Sequence, residues 1–290
     1  MTFHDQGYDC RMDKLAVFKS IADDVTHGEL TFPTSAQLAM KVRQLLDDPD
    51  CAVDAVAKLI QAEPLLSARV VAMANSVAYN RSGREIFDVR TAVARLGFRT
   101  LRSLATAVIT RSLAAGGSVR AYPVMATQLW EHTAHVASLA QFIARRVTHQ
   151  DPEAAMFVGI VHEIGGFYMI SRAKDFPGLL DGDMTDWMME GEAEVGRAVL
   201  KVLAVPEAIA EAIEMYWIGF LEMPPVSLAD TLLLAKQLAP VPSPLRPGAD
   251  RAGFEGMAAN IDMLIGEETL TGILAESAEE VRSLTDALKF

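Results

Sequence analysis

Helical periodicity runs through nearly the whole chain and restricts its fold more than any other property of the sequence. Apolar residues recur every three or four positions, and no segment keeps the period-two alternation of a half-buried strand. Aliphatic residues and methionine far outnumber the aromatic residues, a composition that favours helices over sheets. The sequence therefore predicts an all-α fold for the 290 residues.

Helix-breaking residues divide the predicted helices into groups. Five helices are predicted before Gly116-Gly117-Ser118, which we interpret as the junction between two helical lobes. Prolines repeated between residues 240 and 247 predict a stiff linker, and short helices are expected after it. The predicted division is an N-terminal helical segment at 1–28, a first lobe at 29–117, a second lobe at 118–239, and a linker with a helical tail at 240–290.

Glycines and capping residues predict the ends of individual helices. In the first lobe, Gly97 separates a helix capped by Asp88 from a helix that begins at Thr100. In the second lobe, Asp151-Pro152 opens a helix, and Gly165-Gly166 are expected to loosen or end it.

Composition argues against several functional classes. A net charge of -12 disfavours binding to DNA or to anionic lipid, since both need a surplus of Lys and Arg. No apolar run approaches the roughly 18 residues that span a bilayer, and the polar N-terminus lacks the apolar core of an export signal. Cys10 and Cys51 match no disulfide framework and no metal spacing. We therefore expect a cytoplasmic protein that binds neither DNA nor a membrane.

Two histidines are predicted to face the interior of the second lobe. His132 shares a helix face with apolar residues, and His162 is followed directly by Glu163. Asp230 lies near the start of a later helix. Imidazole and carboxylate ligands suit Mn, Fe, Zn or Ni, so these residues could share a metal ion. The other interpretation is that the histidines are hydrogen-bonded core residues.

From about residue 30 to residue 239 the chain resembles the HDOD family, the HD-related output domains of bacterial signalling proteins. In the second lobe the resemblance is carried by Trp130-Glu131-His132, by the segment from Gly159 to Gly165, and by Glu194-Val195-Gly196 before Val205-Pro206. In the first lobe it is carried by 30–33, 45–49, 57–60 with 63–64, 69–79 and 92–97. The resemblance implies an N-terminal helical bundle packed on an HD-like helical bundle, with a short helical C-terminal tail.

Several positions depart from the metal-binding pattern that the resemblance implies. Histidines 132 and 162 and Asp230 fall at or near ligand positions of HD hydrolases, but Glu163 replaces the usual Asp. Gly166 stands where a Lys often follows, Glu192 where a His is frequent, and Met215-Tyr216 where paired histidines are common. A thioether and a phenol cannot replace two imidazoles on a hard cation. HDOD proteins commonly lack the complete metal set, so the resemblance implies no catalytic residue and no required cofactor.

A basic stretch between Arg81 and Arg111 supplies candidate binding residues in the first lobe. Within it, Arg84, Arg99 and Arg102 could receive a small anionic ligand or an acidic partner. The alternative interpretation is that these arginines pair with acidic helices of the same chain.

Asn75, Ser76 and Tyr79 form a neighbouring polar cluster. An amide, a hydroxyl and a phenol could line a ligand or partner site beside the basic stretch. Alternatively, Asn75 and Ser76 end a helix while Tyr79 packs between the lobes, since Asn and Ser often terminate helices.

The sequence thus predicts a noncatalytic signal-transduction module. Its two lobes are expected to form a groove for a regulatory or sensor protein or for a small anionic signal. One alternative is a phosphohydrolase with a single divalent metal on His132, His162, Glu163 and Asp230. A further alternative is a sensor that binds a cyclic dinucleotide or another nucleotide without hydrolysing it.

Overall fold

The structure is a computed structural model that describes residues 13–27, 34–62, 64–115, 122–219, 221–222, 224–246, 272, 275 and 278–288. The described residues contain helices and no strand, which confirms the all-α prediction. The α-helices are α1 (Lys14–Thr26), α2 (Thr34–Leu46), α3 (Val53–Gln61), α4 (Pro64–Asn75), α5 (Val89–Ala115), α6 (Pro123–Ile143), α7 (Pro152–Val161), α8 (Ile164–Arg172), α9 (Glu192–Val202), α10 (Glu207–Ile218), α11 (Leu228–Leu238) and α12 (Ala278–Leu288). Short π-helical turns lie at Ala144–Thr148 and Trp187–Gly191.

Local signals place most of the helix ends correctly. Gly97 breaks α5 with φ 72° and ψ 166°, and the Asp88 carboxylate accepts a hydrogen bond from the backbone N–H of Thr91, as predicted. Asp151 caps α7, also as predicted. The Gly116-Gly117-Ser118 junction and the first part of the N-terminal segment lie outside the described residues.

The predicted end of α7 at Gly165-Gly166 is wrong. The helix ends at Val161, and both glycines lie inside α8 after a turn at residues 162–163. A Cβ atom on Gly165 would lie 2.8 Å from the backbone nitrogen of Gly196 in α9. The absence of a side chain at Gly165 therefore lets α8 pack closely on α9, and this glycine does not end a helix.

Two helical lobes share one hydrophobic core. Helices α2, α3 and α4 pack on α5 in the first lobe, while α6 to α11 form the second lobe. Helix α5 also packs on α7 and α8 and so joins the two lobes. Helix α1 belongs to the second lobe, because it packs on α9 and places Phe18 edge-on to Trp187 with ring centroids 5.3 Å apart.

A polar network crosses the interface between the lobes. The Tyr79 hydroxyl donates to Glu153 Oε1 at 2.8 Å and accepts from Gln141 Nε2 at 2.8 Å. Thr100 donates to the other oxygen of Glu153 at 2.7 Å. Burial, followed by the nearby Glu153 carboxylate, raises the pKa of Tyr79, so its hydroxyl keeps the proton that it donates.

The C-terminal helix α12 docks on both lobes. It packs against α4 and α6, and Trp130 Nε1 donates to the carbonyl of Leu288 at 3.1 Å. The backbone N–H of Val77 donates to Ser283 Oγ at 3.1 Å, and Arg145 pairs with Glu280 at 2.5 Å. The described part of the predicted tail is therefore packed against the main body.

The Pro152–Arg172 stretch, which contains α7 and α8, is long and apolar enough to cross a membrane by length and composition. However, 83% of its 18-residue apolar window is buried inside the protein. Such burial is typical of a core helix.

We expect Tyr79→Phe to lower the free energy of unfolding by about 1–3 kcal/mol, because it removes the two hydrogen bonds that the hydroxyl makes with Glu153 and Gln141 between the lobes. Urea unfolding followed by circular dichroism measures this loss. Tyr122→Phe is the matched control, since the Tyr122 hydroxyl has no partner among the described residues. Its expected effect is within about 0.5 kcal/mol. Equal losses in the two variants would contradict the bridging role of Tyr79.

Candidate functional site

The helix packing of the second lobe brings His132, His162 and Glu163 together. His132 lies near the middle of α6, His162 follows the last residue of α7, and Glu163 precedes α8. One potential ligand atom from each residue lies within 4.8 Å of the other two. Glu163 Oε1 is 3.7 Å from His132 Nε2 and 3.9 Å from His162 Nε2. These residues form the predicted cluster.

Both imidazole rings are held by backbone carbonyls. His132 Nδ1 is 2.7 Å from the carbonyl oxygen of Val241, and His162 Nδ1 is 2.7 Å from that of Gly159. Because a carbonyl only accepts hydrogen bonds, Nδ1 carries the proton in each ring. Each ring therefore turns Nε2 towards Glu163, which is how metal-binding histidines are commonly oriented.

The cluster is almost completely removed from solvent. His132, His162 and Glu163 are 1%, 2% and 2% exposed. Burial, followed by repulsion from the His132 ring, holds the pKa of His162 well below its ordinary value. His162 is therefore neutral and carries a lone pair on Nε2, for which the described residues supply no hydrogen-bond donor.

Three donors in this arrangement could hold one metal ion. A catalytic zinc site typically uses three protein ligands and leaves one position for water. Asp230, the fourth predicted ligand, is not part of the group. Its oxygens accept backbone N–H bonds from Glu222, Val226 and Ser227 and close a capping box at the start of α11.

Four further side chains surround the cluster. Glu192 and Tyr216 are buried, Lys236 is 6% exposed, and the Arg246 side chain is 18% exposed. The Tyr216 ring lies edge-on to His162, with centroids 5.7 Å apart. Arg246 Nε donates to Glu192 Oε2 at 2.8 Å, although burial raises the pKa of Glu192 above its ordinary value.

The two cations of this environment were missed at the sequence level. Lys236 follows Leu232 by four residues on the inward face of α11, so its position did indicate a buried charge. Arg246 carries no such signal, because it lies among the prolines of the predicted linker.

The described part of the predicted linker packs over the cluster. We call residues 239–246 the strap. Its Val241 carbonyl holds His132, and its Pro242 carbonyl accepts a hydrogen bond from Gln128 at 3.2 Å. Ser243 and Leu245 are buried, and Arg246 reaches Glu192. The strap is therefore part of the second lobe and closes the space in front of the histidines.

The first-lobe polar cluster makes internal contacts. Asn75 Nδ2 donates to the carbonyl of Ile86 at 2.7 Å, and Asn75 Oδ1 accepts from the N–H of Ile86 at 2.9 Å. Ser76 Oγ donates to the carbonyl of Met73 at 2.7 Å. Together with the hydrogen bonds of Tyr79 at the lobe interface, these contacts agree with the interpretation that Asn75 and Ser76 end a helix and Tyr79 packs between the lobes.

The candidate arginines divide into paired and exposed residues. Arg99 pairs with Asp151, while Arg102 pairs with Asp47 at 3.1 Å and donates to the carbonyl of Leu46 at 2.5 Å. The Arg84 side chain is exposed and has no partner among the described residues. The structure therefore does not bring Arg84 together with the other two.

Arg99 and Arg102 line a cleft between the lobes. Its volume is about 260 Å³, and its walls come from α5, α7 and the start of α10. Phe157 and Ile209 supply apolar surface, and Ala208 is exposed at the cleft. Arg99 and Arg102 of the predicted basic stretch therefore reach solvent at this cleft between the lobes.

A family model, the HDOD domain, matches residues 32–217. No curated protein matches the chain. The match covers more than half of the 290 residues and includes His132, His162 and Glu163.

Three solved structures show the same fold. A candidate metal-dependent phosphohydrolase from Shewanella amazonensis SB2B is 22% identical, with a TM-score of 0.71 over 96% of this chain and 100% of that chain. An HDOD domain protein with unknown function from Geobacter sulfurreducens is 23% identical, with a TM-score of 0.62 over 94% and 98%. A candidate signal transduction protein from Marinobacter aquaeolei VT8 is 16% identical, with a TM-score of 0.58 over 97% and 67%. At these identities the likeness establishes the fold alone.

Asp151 gives a pH-dependent test of the Arg99 pairing. Burial raises the pKa of Asp151, but hydrogen bonds from Arg99 and from the first amides of α7 outweigh it and lower the pKa below its ordinary value. The resulting stabilisation is present above the unfolded pKa of about 3.9 and is lost as the pH falls through the lower folded pKa. Asn also caps helices, so Asp151→Asn removes the charge and keeps the cap. The free energy of unfolding of wild type should therefore exceed that of Asp151→Asn by up to about 1 kcal/mol at pH 7, and the two values should be equal at low pH.

Chemical unfolding at several pH values measures this difference. Asp13→Asn is the control, because Asp13 caps α1 through the N–H of Ala16 and has no ion pair among the described residues. A gap between wild type and Asp151→Asn that stays constant from pH 7 to low pH would contradict the pairing.

Proposed function

Because the chain belongs to the HDOD domain family, we propose that it is a noncatalytic, cytoplasmic regulatory module of a signalling pathway. The observation that carries this proposal is the closure of the histidine cluster. His132, His162 and Glu163 are at most 2% exposed, and the strap lies across them. A phosphate ester cannot reach metal-bound water in such a space without displacing the strap.

The ligand set also weighs against hydrolysis. Two-metal phosphohydrolases clamp the attacking and leaving oxygens between ions about 3.5–4 Å apart. The described residues supply one three-donor group, and Asp230 is engaged in capping α11. One ion could be held, but the donors that would hold a second ion beside it are lacking in that group.

The cleft between the lobes supports binding of a partner protein. It combines the basic Arg99 and Arg102 with the apolar Phe157 and Ile209. Small-molecule pockets commonly measure about 300–1,000 Å³, so a cleft of about 260 Å³ suits one inserted side chain better than a cyclic dinucleotide. We propose that it receives an acidic side chain flanked by apolar residues of a regulatory or sensor protein.

A second candidate is a nonhydrolysing sensor of a phosphate-containing signal. The two arginines that line the cleft favour it, since guanidinium groups bind phosphate well. Both arginines already have protein partners, so an anion would have to compete with Asp47 and Asp151. For this reason we rank it below partner binding.

We expect no metal-dependent turnover of phosphomonoesters, phosphodiesters or cyclic dinucleotides by this protein. The measurement is product release by the full chain with added Mn²⁺, Mg²⁺, Fe²⁺ or Zn²⁺. His162→Ala is the matched control, because it removes a donor from the three-donor group. Equal background rates in both proteins are expected. Turnover that disappears in His162→Ala would refute the noncatalytic proposal.

Partner binding at the cleft is tested by filling it. We expect Ala208→Trp to abolish cross-linking of the full chain to its partner in the native cell, because the indole occupies the space between α5 and α10. Ala55→Trp, at an exposed position of α3, should leave the cross-link unchanged. Retention of the cross-link in Ala208→Trp would exclude the cleft as the partner site. A rise in melting temperature of wild type but not of Ala208→Trp in inorganic phosphate would favour the sensor.

A further inference from the structure

We infer that Lys236 and Arg246 replace the divalent cation in this pocket. The two basic side chains lie beside the buried carboxyl groups of Glu163 and Glu192. The site is thereby neutralised from within the chain, and the strap that carries Arg246 keeps it closed. The inference deepens the noncatalytic part of the proposed function and rests on it.

The contacts of Arg246 anchor this arrangement. Its guanidinium donates to Glu192 Oε2 from Nε at 2.8 Å and from a terminal nitrogen at 2.5 Å. Its Cζ lies 5.5 Å from the centre of the Tyr216 ring. Since Tyr216 contacts His162 edge-on, the guanidinium lies next to the histidine cluster and not on the protein surface.

Lys236 approaches the same ring. Its Nζ lies 5.1 Å from the centre of Tyr216, a distance at which the aromatic face attracts a cation. Because the Tyr216 ring also packs edge-on against His162, Lys236 lies next to the histidine cluster. Both cations therefore act on the space in which a metal ion would bind.

Acidic and basic side chains are matched two to two in the pocket. Glu163 and Glu192 are buried carboxyl groups, Lys236 and Arg246 are the basic side chains beside them, and Arg246 hydrogen-bonds directly to Glu192. A buried carboxylate without a compensating charge would be strongly destabilising. Adding a divalent cation to the matched cluster would create a buried positive excess, so the affinity for metal is expected to be low.

Three of the departures from the metal-binding pattern fit this arrangement: Gly166, Glu192 and Tyr216. A Cβ atom on Gly166 would lie 2.4 Å from Cδ1 of the buried Leu245, so a Lys at this position would collide with the strap. Glu192 stands where a His is frequent and pairs with Arg246. Tyr216 stands where an imidazole is common and offers its ring to both cations. Together these residues compensate the buried carboxylates without a metal ion.

The test is uptake of Mn²⁺ and Zn²⁺ by the full chain after treatment with a chelator, measured by elemental analysis and titration. Wild type should take up neither ion in stoichiometric amount. The double variant Lys236→Gln/Arg246→Gln should bind at least tenfold more tightly than wild type and gain melting temperature on metal addition. Arg145→Gln is the matched control, because it breaks the Arg145–Glu280 ion pair at α12 and should behave as wild type.

If the double variant does not fold, Arg246→Gln alone provides the measurement, with the same direction expected. One equivalent of Mn²⁺ or Zn²⁺ on wild type, lost in His162→Ala, would overturn the inference. A folded double or single variant that binds no more metal than wild type would also overturn it. The metal-uptake experiment measures neither turnover nor partner binding, so failure of this inference can be distinguished from failure of the proposed function.

Discussion

The burial of two carboxylates in the second lobe is the constraint on which the rest of the structure depends. Glu163 and Glu192 are 2% and 3% exposed, and an uncompensated charge at such depth would cost several kcal/mol. Helices α6, α7, α8 and α9 pack around them, and the strap completes the enclosure with Arg246. The path of the chain after α11 therefore follows from the electrostatics of the pocket as much as from apolar packing.

A carboxylate at the lobe interface also needs hydrogen-bond partners. Glu153 at the start of α7 is half-buried, and both of its carboxylate oxygens accept hydrogen bonds from the first lobe, from Tyr79 and Thr100. The Arg99 pair with Asp151 and the docked helix α12 add contacts that include both lobes. The relative position of the lobes is thus fixed by directional bonds as well as by the shared core.

The fold and its chemistry are separable in this protein. The HD-like arrangement preserves two inward imidazoles with Nε2 turned towards a carboxylate, which is the geometry of a metal site. The surroundings are closed by the strap and contain the basic side chains Lys236 and Arg246. Function is then expected at the surface between the lobes, where basic and apolar side chains meet solvent in one cleft. The noncatalytic signalling role that we propose uses this fold as a scaffold and places function at its surface.

The sequence by itself determined the features that depend on neighbouring residues. Helix order, the break at Gly97, the cap at Asp151 and the inward faces of His132 and His162 all follow from propensity, capping and periodicity. Tertiary structure alone decided which distant groups meet. Val241 holds His132 from 109 positions away, Arg246 pairs with Glu192 across 54, and Asp230 turns to its own helix start. Such contacts depend on how helices pack in space, and no local pattern encodes that distance or direction.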